Sequence, residues 1–80
     1  MNKAEQGWTK RAAEMLVGKR VKAVSWMTEG EANECGYGSR PVVIEFEDGT
    51  AIWPQSDDEG NDGGALAVTN DKTPVLPVMR

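Results

Sequence analysis

Apolar residues at Ala4, Trp8, Ala12, Met15 and Leu16 recur at the spacing of one helix face, while Lys3, Lys10, Arg11 and Glu14 lie mostly off it. The pattern predicts an amphipathic N-terminal helix. Gly7 costs its first turn about 1 kcal/mol relative to Ala, so the ordered helix is expected near Trp8 onward, and Gly18 offers a left-handed stop. Trp8, on the apolar stripe, reads as a core anchor. Arg20 to Thr28 is rich in β-branched and aromatic residues and reads as a strand. Val24 and Trp26 are expected on one face, and Val21, Ala23 and Met27 on the other.

Thr28-Glu29-Gly30-Glu31 then matches the capping-box pattern, in which a hydroxyl and a carboxylate satisfy each other's backbone amides. It predicts a helix of two turns, Glu29 to Cys35, ended by Gly36, with Ala32 and Cys35 as the buried side. Pro41 to Glu47 alternates with Val42, Ile44 and Phe46 inward. Asp48-Gly49 predicts a two-residue type I′ hairpin. In that register Glu47 faces Thr50, Phe46 faces Ala51 and Ile44 faces Trp53, so Trp53 is expected to pack on Ile44. Ser56 to Gly64 reads as a loop, Ala65 to Thr69 as a short strand, and Asn70-Asp71-Lys72 as a turn. In the last extended segment, Val75 to Val78, Pro74 and Pro77 remove two backbone donors and place it at a sheet edge or off the sheet.

Together these elements predict one small α+β domain over residues 1–80, with a mostly antiparallel sheet of three to five strands. The alternative is a small, strongly bent Sm-like barrel, against which the helix inserted after the first strand argues. Eighty residues leave room for no second domain. The first residues lack the apolar run of a signal peptide, and no stretch reaches the ~18 apolar residues of a membrane span. A soluble, cytoplasmic protein is expected.

The net charge of −4 conceals an asymmetry. Residues 1–22 carry Lys3, Lys10, Arg11, Lys19, Arg20 and Lys22 against Glu5 and Glu14, whereas residues 29–62 carry ten acids against Arg40 alone. A basic segment can bind nucleic acid, but so many nearby carboxylates would repel phosphate over a Debye length of about 8 Å. Nucleic acid is therefore not the expected partner.

The chain contains no His and one Cys, Cys35. That excludes Ser-His-Asp and Cys-His mechanisms, zinc sites of His or multiple-Cys type within one chain, and an intrachain disulfide. Glu29, Glu31 and Glu34 would tend to raise the Cys35 pKa, so a packing role is expected of it. Gly36-Tyr37-Gly38-Ser39 superficially resembles a phosphate loop but lacks the following Lys and the preceding strand. Trp8, Trp26 and Trp53 could form an aromatic platform, although so small a domain needs such side chains for its core.

The most distinctive stretch is Pro54 to Gly64, where Asp57, Asp58, Glu59, Asn61 and Asp62 crowd among glycines. Its oxygens suit calcium or magnesium, through Asp57, Asp58, Glu59 and Asp62. The spacing fits poorly: with Asp58 as the first EF-hand ligand, Thr69 stands where a bidentate Glu is required. The competing reading is a solvated loop whose side chains cap backbone amides. A glycine-flexible loop would also struggle to hold two carboxylates in catalytic geometry, so no enzyme is expected.

Asp48-Gly49-Thr50, the apolar pair and Pro54 after it, and Asp57-Asp58-Glu59-Gly60-Asn61-Asp62 with Gly64-Ala65-Leu66 resemble a group of small uncharacterised bacterial proteins. In that group a capped short helix, here ending near Gly36-Tyr37 and followed by Ser39-Arg40-Pro41, precedes a similar hairpin. The likeness covers roughly Gly18 to Leu66, and this chain departs from it at Ser56, where a basic residue is associated with the group. The resemblance implies no activity. It implies that the acidic loop is more than solvent-facing filler.

The expected function is a non-enzymatic interaction or regulatory domain that contacts a protein partner through Asp57, Asp58, Glu59, Asn61, Asp62, Tyr37 and Arg40. Weak divalent-cation binding by the same loop is the alternative. A monomer or weak homodimer is expected, the latter through an unpaired strand edge or through basic helix meeting acidic loop.

Overall fold

The computed structural model describes residues 2–55 and 64–79. An N-terminal helix α1 (Lys3–Leu16) leads into a five-stranded sheet: β1 (Val21–Trp26), β2 (Val42–Phe46), β3 (Ala51–Pro54), β4 (Leu66–Val68) and β5 (Val75–Leu76). A short helix α2 (Glu29–Cys35) is inserted between β1 and β2. Every neighbouring pair is antiparallel and the strands lie in sequence order, β1-β2-β3-β4-β5. The sheet is open, which supports the α+β fold over the barrel.

Helix α1 starts a turn earlier than Gly7 suggested. Asn2 caps it, its Oδ1 accepting from the Glu5 amide at 2.7 Å. Such a cap contributes about 1 kcal/mol, enough to offset the glycine. Gly18, at φ 80°, makes the left-handed exit. Helix α2 carries the full capping box: Thr28 Oγ1 accepts from the Glu31 amide at 3.1 Å, and Glu31 accepts from the Thr28 amide at 2.9 Å. Gly36, at φ 78°, closes it, and the Tyr37 amide donates back to the Ala32 carbonyl. Ala32 is buried as expected, but Cys35 is exposed, so the two-turn helix turns only one small residue inward.

The β2–β3 hairpin departs from the predicted register by one residue. Ile44 pairs with Ile52 and Glu45 with Ala51, and the Phe46 amide donates to the Thr50 carbonyl. The turn therefore holds three residues, Glu47, Asp48 and Gly49, with Gly49 at φ 93°, the longer loop type that places a glycine in the left-handed region. A one-residue slip moves every side chain of a strand to the opposite face. Trp53 accordingly leaves the face of Ile44 and does not pack on it.

Cα partners across an antiparallel ladder point to the same side. One face therefore carries Val24 and Trp26 of β1, Val42, Ile44 and Phe46 of β2, Ile52 of β3, Leu66 and Val68 of β4, and Leu76 of β5. A bulge between Val21 and Ala23 brings Val21 onto this face as well, opposite Phe46, whereas strict alternation had placed it on the other. Burial is graded across this face. Phe46, Val68 and Leu76 are buried and Ile44, Ile52 and Leu66 half-buried, but all six residues of β1 are exposed.

The gradient follows the placement of α1. Trp8, Thr9 and Ala12 face Leu76, Pro77 and Met79 across a shallow groove of about 180 Å³, and Arg11 Nη1 donates to the buried Thr73 Oγ1 at 2.7 Å. The helix thus sits at the β5 end of the sheet. None of its residues is buried, and Trp8 is exposed rather than a core anchor, because the helix lies shallowly against this edge.

Candidate functional site

Two surfaces stand out, and the first holds two of the residues singled out from the sequence. Behind α2 a shallow cleft of about 360 Å³ is lined by Glu29, Ala32, Asn33, Tyr37, Ser39 and Arg40 with Gly38. The left-handed turn at Gly36 swings the chain back so that Tyr37 reaches β3, where its hydroxyl accepts from Trp53 Nε1 at 3.1 Å. The shifted hairpin register explains this bond, since it turns Trp53 to the face on which Tyr37 waits. Arg40 Nε donates to the Met27 carbonyl at 2.6 Å, and the Met27 amide donates to the Pro41 carbonyl at 2.9 Å. Tyr37 and Arg40 therefore share one cleft wall while each also braces the loop that carries it.

Asp57, Asp58, Glu59, Asn61 and Asp62 lie outside the described residues. The residues flanking that stretch are joined, the Gln55 amide donating to the Ala65 carbonyl at 2.9 Å. Among the described residues no three His, Cys, Asp or Glu side chains gather into a metal-binding group.

The second surface is the outer side of β1. Val21, Val24 and Trp26 are 54%, 63% and 64% exposed, on one face of an edge strand. Apolar side chains so open to water on a sheet edge are the usual mark of a surface that meets another protein. Trp26, expected in the core, is thus on the surface. A strand with apolar residues on both sides reads as doubly covered, and only the strand order shows that β1 has a neighbour on one side alone.

Charge is arranged around this strand. Lys19 Nζ binds Asp48, and Arg20 Nε lies 3.5 Å from Glu47, so two ion pairs clasp the start of β1 to the hairpin. Lys19 and then the Thr50 amide, which donates to Asp48 at 2.9 Å, hold the Asp48 carboxyl down at about 2. At the other end of β1, hydrogen bonds from Thr28, first its amide and then its hydroxyl, lower the Glu31 pKa. Lys22 and Glu29 form no ion pair among the described residues.

No protein-family model, curated protein or solved structure matches the chain. No helix among the described residues is long and apolar enough to cross a membrane.

Proposed function

We propose that this chain is a non-enzymatic protein-interaction or regulatory domain. The observation that carries the reading is the uncovered strip of Val21, Val24 and Trp26 along the edge strand β1. Water contact at such side chains is unfavourable by about 25 cal/mol per Å² of apolar surface, and a partner that covers them recovers that free energy. The cleft with Tyr37 and Arg40 is proposed as a second contact surface, and the acidic stretch around Asp57, Asp58 and Glu59, outside the described residues, as a further contact. Support for the cleft is the shared wall that Tyr37 and Arg40 form.

The test is affinity capture by the whole chain beside its Trp26→Lys variant and beside the triple variant with Asp57, Asp58 and Glu59 changed to Ala. Partners held by the unaltered chain and lost by Trp26→Lys are expected. Identical capture by all three proteins overturns the reading.

A further inference from the structure

The two ends of β1 differ in charge, and the strand's free backbone groups alternate with its bonded ones; together these features specify what fits there. The Met27 amide donates to Pro41, and the ladder sets Ser25 opposite Val43 and Ala23 opposite Glu45. Bonded and unbonded pairs alternate in an antiparallel ladder. Ala23, Ser25 and Met27 therefore spend their backbone groups on β2, and Val24 and Trp26 turn theirs to the open edge. These two residues also supply two of the three side chains of the apolar strip.

We propose that the occupant of this edge is a second copy of the chain, paired antiparallel along β1 about a two-fold axis at Ser25. The inference rests on the interaction reading above and names its partner. With the axis at Ser25, Val24 of one copy stands opposite Trp26 of the other, twice. Both are outward-bonding positions, so each pair exchanges two backbone hydrogen bonds, and an aromatic side chain meets a β-branched one on the same face, a favourable cross-strand pairing. The bulge at Lys22 confines the paired stretch to Ala23–Met27, the five residues centred on Ser25.

Charge selects this orientation. The start of β1 is basic, with Lys22 in the strand and Arg20 just before it, and its end runs into the acidic first turn of α2, with Glu29 and Glu31. Antiparallel pairing lays the basic end of each copy beside the acidic end of the other, whereas parallel pairing would set like charges together. Lys22 and Glu29, which have no ion-pair partner within the described residues, gain one across the axis. The opposite edge offers no equivalent. β5 has two residues, flanked by Pro74 and Pro77, and α1 lies beside it.

An interface of one short strand belongs to the weak, transient size class, so the measurement is sedimentation velocity of the full chain from micromolar to near-millimolar concentration. A reversible monomer–dimer equilibrium is expected, with the Val24 and Trp26 amides gaining protection from hydrogen exchange as the dimer fills. Val24→Pro removes an amide that points away from β2 and is expected to leave a folded monomer. Trp26→Lys removes the apolar contact without touching the backbone, and it is expected to be monomeric even if Val24→Pro fails to fold. Lys22→Glu weakens dimerisation by about threefold, and the exchange Lys22→Glu with Glu29→Lys restores it.

A chain that stays monomeric throughout, or a dimer that survives Trp26→Lys, overturns the proposal. If the chain is monomeric yet captures partners in a Trp26-dependent way, self-pairing fails and the interaction reading stands. If mass and capture both ignore Trp26, both fail.

Discussion

At one edge of the sheet β5 spans only Val75 and Leu76, lies between Pro74 and Pro77, and keeps Leu76 8% exposed beside α1; at the other, β1 runs six residues without a proline and leaves Trp26 64% exposed. Both segments are apolar, and both would pass for strands on composition. The difference is how each disposes of its free backbone and its side chains. Proline deletes donors at the β5 edge, and Leu76 is withdrawn from water beside α1. At β1 the bulge at Lys22 and that lysine's own charge blunt the start of the strand and not its end. A sheet edge can thus be closed by chemistry written locally or left open for a partner, and this molecule does one of each.

The sharpest way to break that contrast is to truncate the same kind of side chain at both edges. Leu76→Ala should destabilise the chain by about 2–3 kcal/mol, since it removes a buried side chain and leaves a cavity under α1. Trp26→Ala, measured at dilute monomer concentration, should fall within about 0.5 kcal/mol of the unaltered protein despite the larger side chain. Urea unfolding of both variants decides it: a Trp26 effect as large as that of Leu76 would mean that β1 is covered within the monomer.

A smaller effect sharpens the role of α1 in closing the β5 edge. Thr73→Val keeps the shape of the buried side chain but removes the acceptor for Arg11, at an expected loss of about 1 kcal/mol. Because that bond joins helix to edge, amide exchange in α1 should quicken more than exchange in β2 and β3. Uniform change across the sheet and helix would show that α1 is held by its apolar contacts alone.

The smallest effect concerns how β1 is clasped at its start. Asp48 titrates at about 2 in the folded chain against an ordinary 3.8, because Lys19 and the Thr50 amide favour the carboxylate. A carboxyl lowered by folding contributes stability that is fully present above the ordinary value and is lost as pH falls through the folded one. Acid titration should therefore weaken the protein between about pH 4 and pH 2. Glu31, lowered by its capping box, acts in the same direction at the other end of the strand. Asp48→Asn should flatten the acid limb of the stability curve and hasten amide exchange at the start of β1; an unchanged limb would show that the Lys19–Asp48 pair does not hold the strand.

The sequence alone determined the elements whose signals are local. The capping box of Thr28 and Glu31, the left-handed exits at Gly18 and Gly36, the alternation of Val42, Ile44 and Phe46, and the exclusion of the segment between Pro74 and Pro77 from the sheet interior are each settled by neighbours a few residues away. Of the candidate site, Tyr37 and Arg40 could be picked out as chemically conspicuous, but not their hydrogen bonds to Trp53 and to the Met27 carbonyl. Tertiary structure decided what depends on distant partners. Three turn residues rather than two sent Trp53 to the opposite face, since side-chain direction in a strand has period two and carries no tolerance for a slip. The bulge at Lys22 did the same for Val21. The exposure of Trp26 followed from strand order, because an apolar side chain is covered only if another element reaches it, and α1 was drawn to β5 instead. Local sequence encodes how a segment bends and which residues it offers; where in the sheet that segment lies sets which of them meet water.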